Sequence, residues 1–164
     1  MSEGSAATPR VGVAIPAAGH GRRMGGAKKP WLQLAGEPIL RHNLRPFHED
    51  ERVVALAVAL GAPDVGAPPE WLATLDPRLS IVEGGDSRAE SVARAVESLP
   101  DDVDIVLVHD AARPLVDRAT IDRCVLAAAS GVGAVAGVPA VDTLKQVEAG
   151  EPESDHGPRV TGTP

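Results

Sequence analysis

Tyrosine is absent from this chain, and the aromatic side chains are only Trp31, Phe47 and Trp71. Any core must therefore be aliphatic, built from Val, Leu, Ile and Ala. Cysteine is nearly absent too. Cys124 stands alone, so no disulfide can form within the chain, which fits a reducing compartment. No apolar run approaches the ~20 residues a membrane-spanning helix needs. The longest, Val53 to Leu60, is of strand length. Positive charge is in deficit, with 16 Lys and Arg against 23 Asp and Glu and a net charge of −7. That balance argues against a general nucleic-acid binder. Met1 to Arg10 has no apolar centre of the signal-peptide kind and reads as a flexible tail. With 164 residues and 43% apolar content, one globular domain is the natural expectation.

What the chain does have is concentrated between Val11 and Pro30, VGVAIPAAGHGRRMGGAKKP. Val11 to Ile15 has the composition of a buried strand. Pro16 ends its hydrogen bonding, and Gly19, Gly21, Gly25 and Gly26 follow. A glycine-rich turn after a buried strand lets backbone N–H groups approach an anion. Arg22, Arg23, Lys28 and Lys29 add fixed positive charge. Glycines with cations on an acidic protein suit a small polyphosphate. Two familiar phosphate loops do not match: G-x-x-x-x-G-K-S/T occurs nowhere, and G-x-G-x-x-G fails at Met24. The plain alternative is a basic surface turn.

Further along, Pro38 suits the first turn of a helix, and Ile39, Leu40, Asn43, Leu44 and Phe47 share helical spacing. Pro46 is expected to end or kink that helix. Val53 to Leu60 reads as a strand buried on both faces. A Gly- and Pro-rich loop follows from Gly61 to Pro69, then a short helix over Pro69 to Leu75. Leu79 to Val82 reads as a strand. Ser87 to Glu90 has capping-box spacing, opening a helix with Ala89, Val92, Val96 and Leu99 on one face. Val103 to Val108 reads as a strand, Asp117 to Ser130 as a helix with Ile121 and Val125 inward, and Gly131 as its stop. Val132 to Val138 reads as a further strand. Strands alternating with helices imply a three-layer α/β/α architecture around a mostly parallel, Rossmann-like sheet. Ligands in such sheets lie at the carboxyl ends of the strands. The Gly19 loop, Gly85-Asp86 and Asp110 all follow strands, so they are expected to meet there.

Four segments together resemble a known family. P-A-A-G-x-G-x-R-M at Pro16 to Met24 resembles the nucleotide loop of nucleotidyltransferases that activate sugar and polyol phosphates, with their nucleotide-diphospho-sugar transferase type of fold. G-G-D-S-R-A-E-S-V at Gly84 to Val92, V-L-V-H-D-A-A-R-P at Val106 to Pro114 and P-A-V-D-T-L-K at Pro139 to Lys145 narrow it. In this order they resemble the 2-C-methyl-D-erythritol 4-phosphate cytidylyltransferase family of the methylerythritol phosphate pathway of isoprenoid synthesis. The resemblance runs from about residue 11 to 147, and 148–164 would begin an arm. It implies transfer of CMP from CTP to methylerythritol phosphate, with pyrophosphate as the leaving group.

Residue by residue, the resemblance implies that Arg23 and Lys29 are catalytic. It assigns CTP binding to Pro16, Ala17, Ala18, Gly19, Gly21, Gly85, Asp86, Ser91 and Ala111. Acceptor binding falls to Asp110, Arg113 and Thr143, with Asp110 also holding Mg²⁺ or another divalent cation. The family has Pro-Lys followed by an aromatic two residues later, whereas this chain reads Lys28-Lys29-Pro30-Trp31, so Lys28 rivals Lys29. Asp110 could instead cap a turn with Arg113, Asp86 could be a helix N-cap, and Ser91 a surface serine. His20, His42, His48, His109 and His156 show no metal spacing. The family's chain is longer, and its distal metal aspartate, acceptor lysine and partner-donated arginine have no counterpart here. The resemblance further implies a cytoplasmic homodimer joined through the arm after residue 143, with no nucleic-acid or membrane partner. A ribitol-5-phosphate cytidylyltransferase and a non-catalytic nucleotide-binding fragment are the alternatives.

Overall fold

The computed structural model describes residues 8–19, 28–139, 141–143, 146–147 and 160–162. Contacts divide the chain into two compact units, Met1–Ala134 and Val135–Pro164. The tail's first seven residues, Gly21, Arg23 and most of 148–164 lie outside the described residues.

The first unit holds a four-stranded parallel sheet of β1 (Val11–Pro16), β4 (Val53–Leu60), β5 (Leu79–Glu83) and β6 (Ile105–Val108), in the spatial order β5-β4-β1-β6. Between β1 and β4 lie a 3-10 turn (Lys29–Trp31), the two-residue hairpin strands β2 (Gln33–Leu34) and β3 (Glu37–Pro38), and helix α1 (Ile39–His48). Helices α2 (Ala62–Gly66) and α3 (Glu70–Ala73) separate β4 from β5. Helices α4 (Arg88–Glu97) and α5 (Arg118–Ala129) flank β6 in sequence. In the second unit β7 (Gln146–Val147) pairs antiparallel with β8 (Val160–Gly162).

Side chains alternate across a strand, so β1 and β4 each feed two cores. Val11, Val13 and Ile15, with Leu56, Val58 and Leu60, pack with Leu40, Leu44 and Phe47 of α1 and Ile121 and Val125 of α5. On the other face Ala14, Ala55, Ala57 and Ala59 meet Ala95 and Leu99. That face is paved with small side chains, so α4 can lie close. A Cβ added at Gly12 would stand 2.9 Å from Leu99 Cδ1 and 3.1 Å from Val103 Cγ1. Large residues on one face and small ones on the other produce the three layers expected from sequence.

The same close approach corrects the expected face of α4. Ser91, Ala95 and Leu99 are buried, Val92 and Val96 flank them, and Ala89 is exposed. Small side chains take the line of contact because valine would hold the helix away. In α1 the expected face is buried as read, and Pro46 does not end the helix, which continues to His48. Proline's fixed φ is helical, so the chain can continue through it, at the cost of the hydrogen bond that the His42 carbonyl would otherwise accept. The loop expected over Gly61 to Pro69 contains α2, started by Pro63 with Asp64 in its first turn. Gly131, at φ +85°, stops α5 as expected. The strand expected over Val132 to Val138 is not formed. These residues make no strand ladder and are exposed, Val135 at 96% and Val138 at 91%.

Two buried carboxylates anchor the starts of strands. Asp76, just before β5, is buried and accepts from Arg78 Nη2 at 2.6 Å and Nε at 3.0 Å. His48 Nδ1 lies 2.6 Å away. Arg78 also donates to the Val53 carbonyl at 2.6 Å, tying β5 to the start of β4. Hydrogen bonds from Arg78 hold the Asp76 carboxyl well below the usual carboxylate range, against the opposing effect of burial. Asp50 is bound in the same way by Arg52, which also reaches Asp122 of α5 at 2.5 Å.

Candidate active site

Numbered along the chain, the four main strands have the spatial order 3-2-1-4, so the direction of winding reverses between β1 and β6. Open α/β sheets form a crevice at such a point, at the strands' carboxyl ends. A cavity of about 850 Å³ lies there. Its walls are the loop after β1 (Pro16 to Gly19), the loop after β5 with the start of α4 (Gly85 to Arg88, and Ser91), the turn after β6 (Asp110 to Arg113), and Lys29 with Pro30. The three post-strand loops expected to converge do so.

One wall is small and backbone-rich. The Ala17 N–H donates to the Ala59 carbonyl and the Gly84 N–H to the Leu60 carbonyl, each at 2.8 Å. These bonds carry the ladder past the strand ends and bring Ala18 against Gly84. A Cβ on Gly84 would fall 2.4 Å from Ala18 Cβ and 2.9 Å from Ser91 Oγ. Ser91 is buried, not a surface serine. Its hydroxyl accepts from the Gly85 N–H at 3.1 Å and donates to the Ser87 carbonyl at 2.9 Å. Ser87 is the N-cap of α4, accepting from the Glu90 N–H at 3.1 Å, while Glu90 accepts from the Asp86 N–H at 3.0 Å. Ser87 thus makes the cap, while Glu90 reaches back to the residue before it rather than to the Ser87 N–H of a full capping box; the alternative of Asp86 as N-cap is not realised.

The opposite wall is charged. The sequence allows Asp110 to be either a cation-holding carboxylate or a turn cap paired with Arg113. β6 ends at Val108 as expected, and the Asp110 side chain is 32% exposed and paired twice, once with Arg113 and once with Arg88. Arg88 donates to Oδ1 through Nε at 2.9 Å and Nη2 at 2.7 Å, while Arg113 Nε lies 3.3 Å from Oδ2. Arg88, at the first position of α4, thus reaches across the cavity to the turn after β6. The adjacent lysines are separated by their surroundings. Lys28 Nζ is 2.7 Å from Asp64 Oδ2 of α2, whereas Lys29 lines the cavity.

Behind the turn is a polar contact inside the apolar core. Asn43 of α1 is fully buried. It donates to the Ile39 and Ala111 carbonyls, both at 2.9 Å, and its Oδ1 is 2.8 Å from His109 Nε2. The same Nε2 is 3.1 Å from the Arg113 carbonyl. Burial pushes the His109 pKa down, favouring the neutral ring.

Of the residues expected to form a site, Pro16, Ala17, Ala18, Gly19, Lys29, Gly85, Asp86, Ser91, Asp110, Ala111 and Arg113 line this one cavity. Gly21 and Arg23 lie outside the described residues. Thr143 belongs to the second unit, where it is exposed. Sequence reading missed Arg88, Asn43 and Asp64. Arg88 was visible inside the second motif but given no task. Asn43 was the one polar residue in an otherwise apolar helical face. Asp64 carried no signal, since its partner Lys28 is 36 residues away.

The family model described as IspD, 2-C-methyl-D-erythritol 4-phosphate cytidylyltransferase, matches residues 11–156. A curated protein of that name from Solibacter usitatus is 40% identical over 155 residues, covering 86% of this chain and 62% of that protein. Its counterpart from Streptomyces avermitilis is 43% identical over 169 residues, covering 93% and 66%. The crystal structure of the enzyme so named from Thermus thermophilus superposes with a TM-score of 0.68 at 34% identity, over 93% of this chain and 63% of that one. This chain thus spans a little over three fifths of the length of these relatives. By its family model, its identity to these relatives and its shared fold, the chain belongs to the IspD family of 2-C-methyl-D-erythritol 4-phosphate cytidylyltransferases.

Proposed function

We propose that this chain carries the nucleotide site of a cytidylyltransferase that moves CMP from CTP to 2-C-methyl-D-erythritol 4-phosphate. The observation that carries this reading is the convergence on one cavity of three loops bearing the family's motifs. An acceptor phosphate oxygen attacks the α-phosphorus of CTP, a new P–O bond forms, and the bond to the β-phosphate oxygen breaks. The leaving pyrophosphate takes that electron pair. Negative charge crowds around the α-phosphorus, so catalysis is mainly positioning and charge neutralisation.

The roles are those the family resemblance implies, supported where their residues line the cavity. Ala17, Ala18 and Gly85 present a wall of small residues that suits a pyrimidine, with backbone groups of Gly85 and Asp86 at its edge. Ser91 keeps Gly85 in place. Backbone N–H groups of the Gly19 to Gly21 loop hold the triphosphate. Lys29 and Arg23 supply positive charge at the reacting phosphate, and Lys28 is occupied by Asp64. Arg113 binds the acceptor's phosphate.

Mg²⁺ fits the donor set in one respect. Among the described residues no cluster of three or more His, Cys, Asp or Glu could hold a metal by itself. Mg²⁺ needs only one or two carboxylates when phosphates complete its shell. Asp110 is the carboxylate that would hold it, and the bound cation would offset phosphate charge. Arg88 would then have to yield Oδ1.

Homodimer formation through the segment after residue 143 and a cytoplasmic location also belong to this reading. No helix among the described residues is long and apolar enough to cross a membrane. The test is pyrophosphate release from CTP with methylerythritol phosphate or with ribitol 5-phosphate as acceptor. Release with the first and not the second is expected. Release with ribitol 5-phosphate alone would overturn the acceptor assignment, and release with neither would overturn the catalytic reading for this chain.

A further inference from the structure

We propose that Asn43 is a positioning residue, which fixes from the helix layer the turn on which Asp110 and Arg113 stand. The inference rests on the cavity being the substrate site, but its evidence is a separate piece of geometry. Asn43 sits on the apolar face of α1 beside Leu40 and Leu44, and all three are fully buried. An amide in that position is costly unless its groups are satisfied. Here each polar atom is used, and two of its three partners belong to the turn after β6.

The orientation of the amide follows from its partners. Nδ2 faces two carbonyls, of Ile39 and Ala111, both at 2.9 Å. Exchanging its oxygen and nitrogen would set oxygen against oxygen twice. Oδ1 is therefore the acceptor for His109 Nε2, 2.8 Å away, and that nitrogen carries a proton. The same N–H is 3.1 Å from the Arg113 carbonyl. Asn43 thus holds Ala111 directly and Arg113 through the His109 ring. Phe47, one turn along α1, packs on that ring with centroids 5.2 Å apart. The turn's own backbone bonds are few: the His109 N–H donates to the Ala14 carbonyl and the Arg113 N–H to the Asp110 carbonyl, each at 3.0 Å.

The same helix also holds the opposite wall. The Ile39 N–H donates at 2.8 Å to the carbonyl of Leu32, which follows directly after the Lys29–Trp31 turn. The first turn of α1 is thereby fixed to the lysine side of the cavity, and Asn43 fixes its middle to the Asp110 side. The spacing between the lysine and the acceptor-binding arginine is then set by one rigid element. A core of this kind needs no amide for packing, since an aliphatic side chain would fill the place.

The test compares Asn43→Ala with Leu44→Ala, its fully buried neighbour that has no hydrogen bond to the turn. Amide exchange is followed by NMR at equal distances below each variant's melting temperature. Arg113 N–H exchange is expected to rise about tenfold or more in Asn43→Ala, the loss of one good hydrogen bond, and little in Leu44→Ala. In turnover, KM for methylerythritol phosphate should rise by about the same factor in Asn43→Ala, and more than KM for CTP. Equal exchange in the two variants, or equal rises in both KM values, would overturn the proposal. If Asn43→Ala does not fold, Asn43→Leu keeps the volume and gives the same exchange reading. Absence of turnover in the wild type would refute the proposed function, while exchange at Arg113 would still decide the role of Asn43.

Discussion

Replacing Gly84 by alanine adds a single methyl group where the structure has no room for it. The new Cβ would stand 2.4 Å from Ala18 Cβ and 2.9 Å from Ser91 Oγ. Carbon atoms in good contact are about 3.5–4.0 Å apart, so a displacement of roughly 1 Å is required. Neither neighbour can give by rotation. Ala18 has no side-chain torsion to turn, and Ser91 is held by Gly85 and Ser87. The backbone must move, either at the loop after β1 or at the loop after β5. Overpacking of this sort costs about 1–3 kcal/mol, and a contact this short belongs in the upper half of that range. For a chain of this length each kcal/mol lowers the melting temperature by about 2–4 °C, giving a loss of about 4–12 °C. Because the shift would displace the cavity wall formed by Ala17, Ala18 and Gly85, CTP affinity should fall about tenfold or more, or at least about 1.4 kcal/mol. Gly85→Ala is the internal comparison. Its Cβ would meet Glu90 Cδ at 2.1 Å, but Glu90 is an exposed, flexible side chain that can swing away. That movement forfeits the bond to the Asp86 N–H, about 1 kcal/mol. Thermal unfolding by circular dichroism and calorimetry with CTP read both effects. Melting within about 1 °C of wild type, with unchanged CTP affinity, would refute the close packing of these loops.

The remaining predictions concern charge. Lys29→Ala should lower the rate of pyrophosphate release about a hundredfold or more, because on the proposed reading it removes the cation at the reacting phosphate. Lys28→Ala should lower it far less and instead release Asp64; a larger loss in Lys28→Ala would reverse the assignment. Asp76→Asn should destabilise the fold at neutral pH. The folded-state pKa of Asp76 is depressed by Arg78, so its contribution is present above the ordinary carboxylate pKa of ~3.9 and is lost as pH falls below it. Denaturant unfolding at several pH values should therefore show the gap between wild type and variant closing on acidification. A gap that stays constant or widens would remove the ion pair as its cause.

Much of this molecule could be read from its sequence because the relevant physics is local. Val11 to Ile15 and Val53 to Leu60 are buried on both faces, and their composition says so. The S-x-x-E spacing at Ser87 forms its cap, and Gly131 stops α5 at positive φ. Asp110, Gly85 and the loop after Pro16 could be placed together from the rule for strand ends alone. What escaped depended on partners distant in sequence. The buried face of α4 was displaced toward Ser91 and Ala95 because the sheet beneath it is alanine, a property of β1 and β4. The pairing of Asp110 with Arg88 joins two loops that the sheet order holds on either side of the cavity. Val132 to Val138 has strand composition but no ladder, and composition cannot supply a neighbour. In sequence Lys29 is favoured over Lys28 by its register with Trp31 alone, because the pairing of Lys28 with Asp64 is not legible there.

Isothermal calorimetry with CTP, UTP, ATP and GTP in the presence of Mg²⁺ tests the central claim most directly, that the cavity between the loops after β1, β5 and β6 is a cytidine nucleotide site. On the proposed reading the walls of Ala17, Ala18, Gly85 and Asp86 hold a pyrimidine and not a purine, so CTP should bind with one-to-one stoichiometry and about tenfold or more tighter than ATP or GTP. ATP binding as tightly as CTP, or more so, would contradict it.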